Sequence, residues 1–222
     1  MEKLKTLTKE ASIFFRKNGV KINYKKGQLF FRPEDSAQGI YYLESGQVMA
    51  YSMKEDGTEQ IIGIWEEGAI FGKIGTIIYQ PLTIISTQAI TECEVYRLDC
   101  QEFQKLLDNN SEISGAYMKQ VSFNNVYILN QVLVLGEREI YIKVLSQILL
   151  MAGYYGHEVN SEIVLRISLT QEQMANMLCI SREYFSKTLK KIKIKKLITI
   201  NGRGQIKIPS IKKIEEEVKR KR

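Results

Sequence analysis

The chain is poor in the residues that cross-link, ligate or catalyse. Its 222 residues include one His, three Cys, three Pro and one Trp. Cys93, Cys100 and Cys179 are an odd set without a CxxC pair, so neither a disulfide framework nor a zinc site is expected. His157 stands alone in a Gly/Tyr-rich stretch and reads as a surface residue rather than a ligand. With no metal-ligand set, nucleophile motif or paired catalytic carboxylates, no metal, cofactor or enzymatic activity is expected. The apolar runs fall short of a membrane span, and the opening MEKLKTLTKEASIFF lacks the apolar core of a signal peptide. A cytoplasmic protein with reduced thiols and no membrane partner is the expectation. What remains is 44% apolar and 26% charged, the composition of an ordinary folded chain. Its length suits one large domain or two small ones.

The net charge of +7 is unevenly placed. Residues 168–222 hold 15 Lys+Arg against 5 Asp+Glu, whereas residues 1–167 hold 17 against 20. Such asymmetry suggests a C-terminal part built for a polyanion, joined to a part with another task.

The organisation agrees with that split. Residues 2–17 read as a short amphipathic helix. Short β-rich runs follow at 28–31, 39–43, 47–52, 60–65, 82–89 and 93–98, punctuated by glycines, with Asp56-Gly57 as a hairpin turn. Regular short strands imply an antiparallel barrel or roll. Residues 100–107 read as a helix. From Ser111 to Leu135 the spacing of Tyr117, Val121, Asn124, Ile128, Gln131 and Leu135 predicts a helical seam suited to self-association, with two polar positions that fix register. A helix packed on its own domain remains the alternative. Gly136 then marks a hinge, a helix is expected over 140–152, and 153–160 reads as a loop.

The most informative stretch is 167–208. Thr170-Gln171-Glu172-Gln173 fits the capping box that opens a helix, here 171–178, with Met174 and Met177/Leu178 turned inward. After a short turn at Cys179-Ile180, Ser181 is an N-cap for a second helix, 182–194. Phe185, Leu189 and Ile192 form its buried stripe, leaving Arg182, Glu183, Ser186, Lys187 and Lys190 outside. Two short helices joined by a tight turn are a helix-turn-helix. Residues 197–200 and 205–208 read as a wing hairpin with Arg203 at its tip, placed to reach a phosphate. In a major groove, Arg182 can donate two hydrogen bonds to guanine, Glu183 can accept from cytosine N4, and Lys187 can reach a base or phosphate. Thr170 and Gln171 start the preceding helix, where amides grip phosphates.

LTQEQMANMLCISREYFSKTLKKIKIKKLI resembles the helix-turn-helix of the CRP/FNR family of bacterial transcription regulators. KKGQLFFRPEDSAQGIYYLESGQVMAYSMKEDGTEQIIGIWEEGAIFGKIG looks like that family's cyclic-nucleotide-binding-type β-roll. The resemblance spans nearly the whole chain and implies an α+β fold in three parts. These are a β-roll sensor over 1–110, a dimerisation helix and hinge over 111–136, and a winged helix-turn-helix over 137–222. It further implies a homodimer on a palindromic double-stranded DNA operator, with Arg182, Glu183 and Lys187 reading a TGTGA-type half-site. RNA polymerase becomes a candidate partner. Cys179 stands where many members have a turn glycine.

The sensor departs further from the family pattern. Cyclic-AMP-binding members carry Gly-Glu-Leu and, later, an Arg-Ser pair. Here the stretches are Gly72-Lys73-Ile74 and Thr83-Ile84, so a cyclic phosphate would lose its arginine and its ribose carboxylate. The N-terminal cysteine cluster of the iron–sulfur branch is absent, and no histidine or Cys–His pair suits haem. The Gly-Lys pattern is similar to the halophenol-responsive, CprK-like branch. A pocket for a small, partly apolar anion is therefore expected from Gly72, Lys73, Ile74, Thr83, Asn124, Tyr127 and Ile128. Two other readings stay open: a ligand-independent regulator of the same fold, and a cyclic-nucleotide-type module that does not bind DNA.

Overall fold

The computed structural model describes residues 9–33, 35, 39–72, 85–201 and 205–221. It forms two compact units, residues 2–125 and residues 126–222.

Among the described residues the first unit opens with α1 (Lys9–Asn18) and continues through eight strands. These are β1 (Val20–Tyr24), β2 (Leu29–Phe31), β3 (Ile40–Ser45), β4 (Gln47–Met53), β5 (Glu59–Glu66), β6 (Ile70–Gly72), β7 (Ser86–Ala89) and β8 (Cys93–Leu98). They make two antiparallel sheets, ordered β1-β8-β3-β6 and β2-β7-β4-β5. Strand β3 shows why four consecutive residues can all be buried. Ile40 and Tyr42 point into a core with Phe15, Phe103 and Ile113, while Tyr41 and Leu43 join Phe30, Phe31, Val48 and Phe71. Alternate side chains leave opposite faces of a strand, so this sheet is the middle layer between helices and the second sheet. The expected hairpin forms at β4–β5, where Asp56 accepts from the Thr58 amide at 2.8 Å. Between β3 and β4, Gly46 adopts φ +100, and a Cβ there would strike the Glu92 carbonyl and the Cys93 sulfur.

Helix α2 (Cys100–Asn109) is capped by Asp99, and α3 (Ser111–Leu135) follows. The two units divide inside α3, between Asn125 and Val126. Its first half belongs to the roll. Gln120 accepts from the Ile70 amide at 3.0 Å and donates to the Ile70 carbonyl at 2.7 Å, pinning the edge strand β6.

The second unit contains the rest of α3 and α4 (Ile140–Tyr155), then the hairpin β9 (Gly156–Val159) and β10 (Glu162–Leu165). It continues with α5 (Gln171–Met177), α6 (Arg182–Ile194), β11 (Thr199–Ile200), β12 (Ile206–Ile208) and α7 (Ile211–Lys221). Two features differ from the sequence reading. The expected loop 153–160 is instead the end of α4 followed by β9, turned back through Asn160 and Ser161, both at positive φ. That pairing of conformations is the two-residue hairpin turn that matches strand twist. The hairpin joins the wing, giving a four-stranded sheet ordered β11-β12-β10-β9. The basic stretch after the wing, to which the sequence reading assigned no element, is a helix that buries Ile214 and Val218.

Candidate nucleic-acid interface

The helix-turn-helix forms as its local chemistry dictates. Thr170 Oγ1 accepts from the Gln173 amide at 3.1 Å, and Gln173 Oε1 accepts from the Thr170 amide at 2.9 Å, which closes the capping box. Thr170 and Gln171 are both exposed at the start of α5, and the Thr170 hydroxyl, an acceptor within the box, keeps its own O–H to donate to a phosphate. Met174, Ala175 and Met177 are buried. At the turn, the amides of Leu178 and Ile180 both donate to the Ala175 carbonyl, and Cys179 N donates to Asn176 O. Cys179 takes φ +54, the left-handed conformation that glycine adopts without strain.

Ser181 then caps α6, accepting from the Tyr184 amide at 3.3 Å. Phe185, Leu189 and Ile192 are buried together with Thr188, so the helix is fixed on one face. The opposite surface carries Arg182, Glu183, Lys187 and Lys190, all exposed, and half-buried Ser186. Glu183 is held below the usual carboxylate range by its own amide and by the Ser181 hydroxyl, so it is a charged acceptor at the helix N-terminus. Tyr184, 60% exposed on the same first turn, was not expected from the sequence. Counting helical phase back from the Phe185–Leu189–Ile192 stripe would have placed it outside. Arg203 lies outside the described residues, although the wing strands β11 and β12 that lead to it pair as expected.

The lower end of α6 is tied to the C-terminal helix. Glu217 on α7 accepts from Lys195 Nζ at 2.6 Å, from Arg220 Nη2 at 2.7 Å and from the Tyr141 hydroxyl at 3.1 Å. Lys195 is the C-cap of α6, and its ammonium also lies 5.0 Å from the centre of the Tyr141 ring. Lys195, Arg220 and Tyr141 hold the Glu217 carboxyl down at about 2.

The expected seam on α3 needs correction. Tyr117 is buried against Phe103 within the roll, with Val121 packed beside it. Gln131 is buried, and Leu135 is half-buried. Of the expected positions, Ile128 is exposed and Asn124 half-buried. The open apolar side chains instead include Met118, Val126, Leu129, Val132 and Leu133, the last 71% exposed. The outward stripe therefore runs about one residue away from the expected one. Tyr117 and Gln131 face inward because α3 is packed on its own units, whereas Ile128 stays open beside the outer row.

The expected effector residues fall only in part within the described structure. Lys73, Ile74 and Thr83 lie outside the described residues. Gly72 ends β6. Tyr127 is buried with its ring edge-on to Tyr154 and Tyr155, at 4.9 and 5.8 Å between centroids. Among the described residues no cluster of His, Cys, Asp and Glu could hold a metal ion, and no helix is long and apolar enough to cross a membrane.

Two family matches cover most of the chain. Residues 21–110 match the cyclic nucleotide-binding domain, and residues 143–217 match the Crp-like helix-turn-helix domain. The chain belongs to the CRP/FNR family. This CRP/FNR protein is similar to the anaerobic regulatory protein of Bacillus subtilis, 23% identical over 82% of this chain and 76% of that one. It is also similar to the cAMP-activated global transcriptional regulator CRP of Pasteurella multocida, 24% identical over 76% and 80%. Its fold is shared with a CooA variant from Carboxydothermus hydrogenoformans, with a TM-score of 0.79, 20% identity, and 95% and 92% of the two chains covered. These relatives are regulators rather than enzymes, and this chain is a CRP/FNR-type DNA-binding transcription regulator with a β-roll of the cyclic nucleotide-binding type.

Proposed function

We propose that the protein acts as a homodimer that reads a palindromic DNA operator with one α6 per half-site, under control of a small molecule bound in the roll. The observation that carries the reading is α6 itself. One face is fixed by Phe185, Leu189 and Ile192, and the capped N-terminal turn presents Arg182 and Glu183 outward. The exposed Leu129, Val132 and Leu133 support pairing through α3, since a row of large apolar side chains is otherwise left in water. The residue pattern Arg182, Glu183, Lys187 supports a TGTGA-type half-site. A DNA partner places the protein in the cytoplasm on this reading, with RNA polymerase as the further partner through which transcription is changed.

The effector is not a cyclic nucleotide on this reading. Lys73 replaces the family's glutamate and Thr83-Ile84 its Arg-Ser pair, so a buried cyclic phosphate would lie unpaired at a cost of several kcal/mol. Lys73 suits a small, partly apolar anion instead. No resident cofactor or metal is required.

A gel shift with a palindrome of two TGTGA half-sites tests the DNA reading. Specific retention by the full chain is expected, with discrimination lost in Arg182→Ala. Equal binding to scrambled duplex by both proteins would refute it. Calorimetry with cyclic AMP, phenolic and carboxylate ligands tests the sensor, and a clear cyclic-AMP response would overturn the pocket argument.

A further inference from the structure

Gln131 occupies a place in the wiring that neither its sequence position nor the family matches assign. It lies on α3, 6% exposed, and its Nε2 donates to the carbonyl oxygen of Met177 at 3.2 Å. Met177 is the last residue of α5, and a helix leaves its final carbonyls without partners inside the helix. The neighbouring carbonyls are satisfied from the turn. Ala175 O receives Leu178 N and Ile180 N, and Asn176 O receives Cys179 N. Met177 O is the carbonyl that α3 takes. Four residues later Ser181 caps the recognition helix, and the intervening backbone is held by those turn bonds and by a left-handed Cys179. The register of the turn is therefore referred to α3 through one side-chain amide.

The neighbours of Gln131 strengthen the attachment. Tyr127 and Val134 fall on the same helical face at spacings of four and three, and both are buried. Tyr127 packs against Tyr154 and Tyr155 at the end of α4. On the other side of the same two turns, Leu129, Val132 and Leu133 are exposed. Apolar packing alone tolerates sliding and rotation, whereas a hydrogen bond to one named carbonyl fixes both.

We infer that Gln131 is a positioning residue that locks the helix-turn-helix turn to α3, so that the recognition helix takes its direction from the helix that carries the pairing stripe. This rests on the proposed dimeric, operator-reading function. In such a dimer, two recognition helices must meet successive major grooves about 34 Å apart, so a small change in their direction is read as a change in preferred half-site spacing.

The test compares the full-length protein with Gln131→Met, which keeps length and loses the donor, and with Val134→Ala, which loosens the same face without touching Met177. Binding is measured to palindromes whose central spacer is varied one base pair at a time. Amide exchange of the 178–180 segment is followed by mass spectrometry. Losing one buried hydrogen bond shifts an equilibrium constant by about five- to tenfold, and that is the expected loss of preference for the best spacer in Gln131→Met. Faster exchange at Leu178–Ile180 is expected in Gln131→Met but not in Val134→Ala, which keeps the wild-type spacer preference. The inference is overturned if Gln131→Met keeps both wild-type preference and wild-type exchange, or if Val134→Ala reproduces both changes. Absence of specific binding by the wild type would instead remove the functional reading, and the exchange comparison would still decide the lock.

Discussion

Glu217 offers a quantitative test of how α7 supports the recognition helix. Its carboxylate takes hydrogen bonds from Lys195, Arg220 and Tyr141, and its pKa is drawn from an ordinary 4.5 to about 2. Without screening, that difference would correspond to about 3.5 kcal/mol of stabilisation at neutral pH. The Glu217 side chain is only 11% exposed, but Lys195 is 42% and Arg220 65% exposed, so water and salt screen the attraction. A contribution of about 1–1.5 kcal/mol is the better expectation. The folded-state value is depressed, so the stabilisation is complete above the unfolded value near 4.5 and disappears as pH falls through about 2. Glu217→Gln keeps size and some hydrogen bonding while removing the charge. Urea unfolding of both proteins at several pH values should show the variant less stable by about that amount at pH 7. The two curves should converge between about pH 4.5 and pH 2 as the wild-type carboxyl protonates. A difference that stays constant across this range would refute the electrostatic account and point to packing instead.

Other expectations follow from the interface and the helix faces. Arg182→Ala should lose about 1–3 kcal/mol of discrimination at one base pair, whereas Lys190→Ala should weaken all duplexes alike and lower the salt slope by about 1 per subunit, both measured by titration at several salt concentrations. Cys179→Gly should relieve about 1–2 kcal/mol of left-handed strain against about 0.5–1 kcal/mol of added chain entropy. A net gain of about 0.5–1 kcal/mol in urea unfolding is expected, since Cys179 is exposed. Leu133→Glu should weaken self-association at least about 100-fold in sedimentation, because each copy forfeits a buried leucine. An unchanged association constant would show that this stripe does not pair the subunits.

The helix-turn-helix was readable in the sequence because its signals are local. The Thr170–Gln173 box and the Ser181 cap act within four residues, and the Phe185–Leu189–Ile192 stripe repeats at helical spacing. The roll was legible from its glycines and the Asp56-Gly57 hairpin. The phase of α3 was not, because the helix is apolar nearly all round. Tyr127, Gln131 and Val134 serve its own unit while Leu129, Val132 and Leu133 face out, and two superposed periodicities cannot be separated by spacing alone. The β9–β10 hairpin was hidden by a turn of Asn160 and Ser161, in which serine is an uncommon occupant of positive φ. Helix α7 was hidden by its charges, although Ile211, Ile214 and Val218 already carry a helical spacing.

The interleaving of the two faces in the second half of α3 also governs which length changes the lineage can accept. One inserted residue between Val126 and Gln131 would turn everything after it by about 100°. Gln131 would leave Met177 at the same moment that Leu133 left the outer row, so no compensating change at a single position could repair both. An insertion of seven residues turns the helix by only about 20° and keeps both rows in phase, at the cost of extra length. Substitutions can accumulate here one at a time, whereas length is expected to vary only in whole heptads.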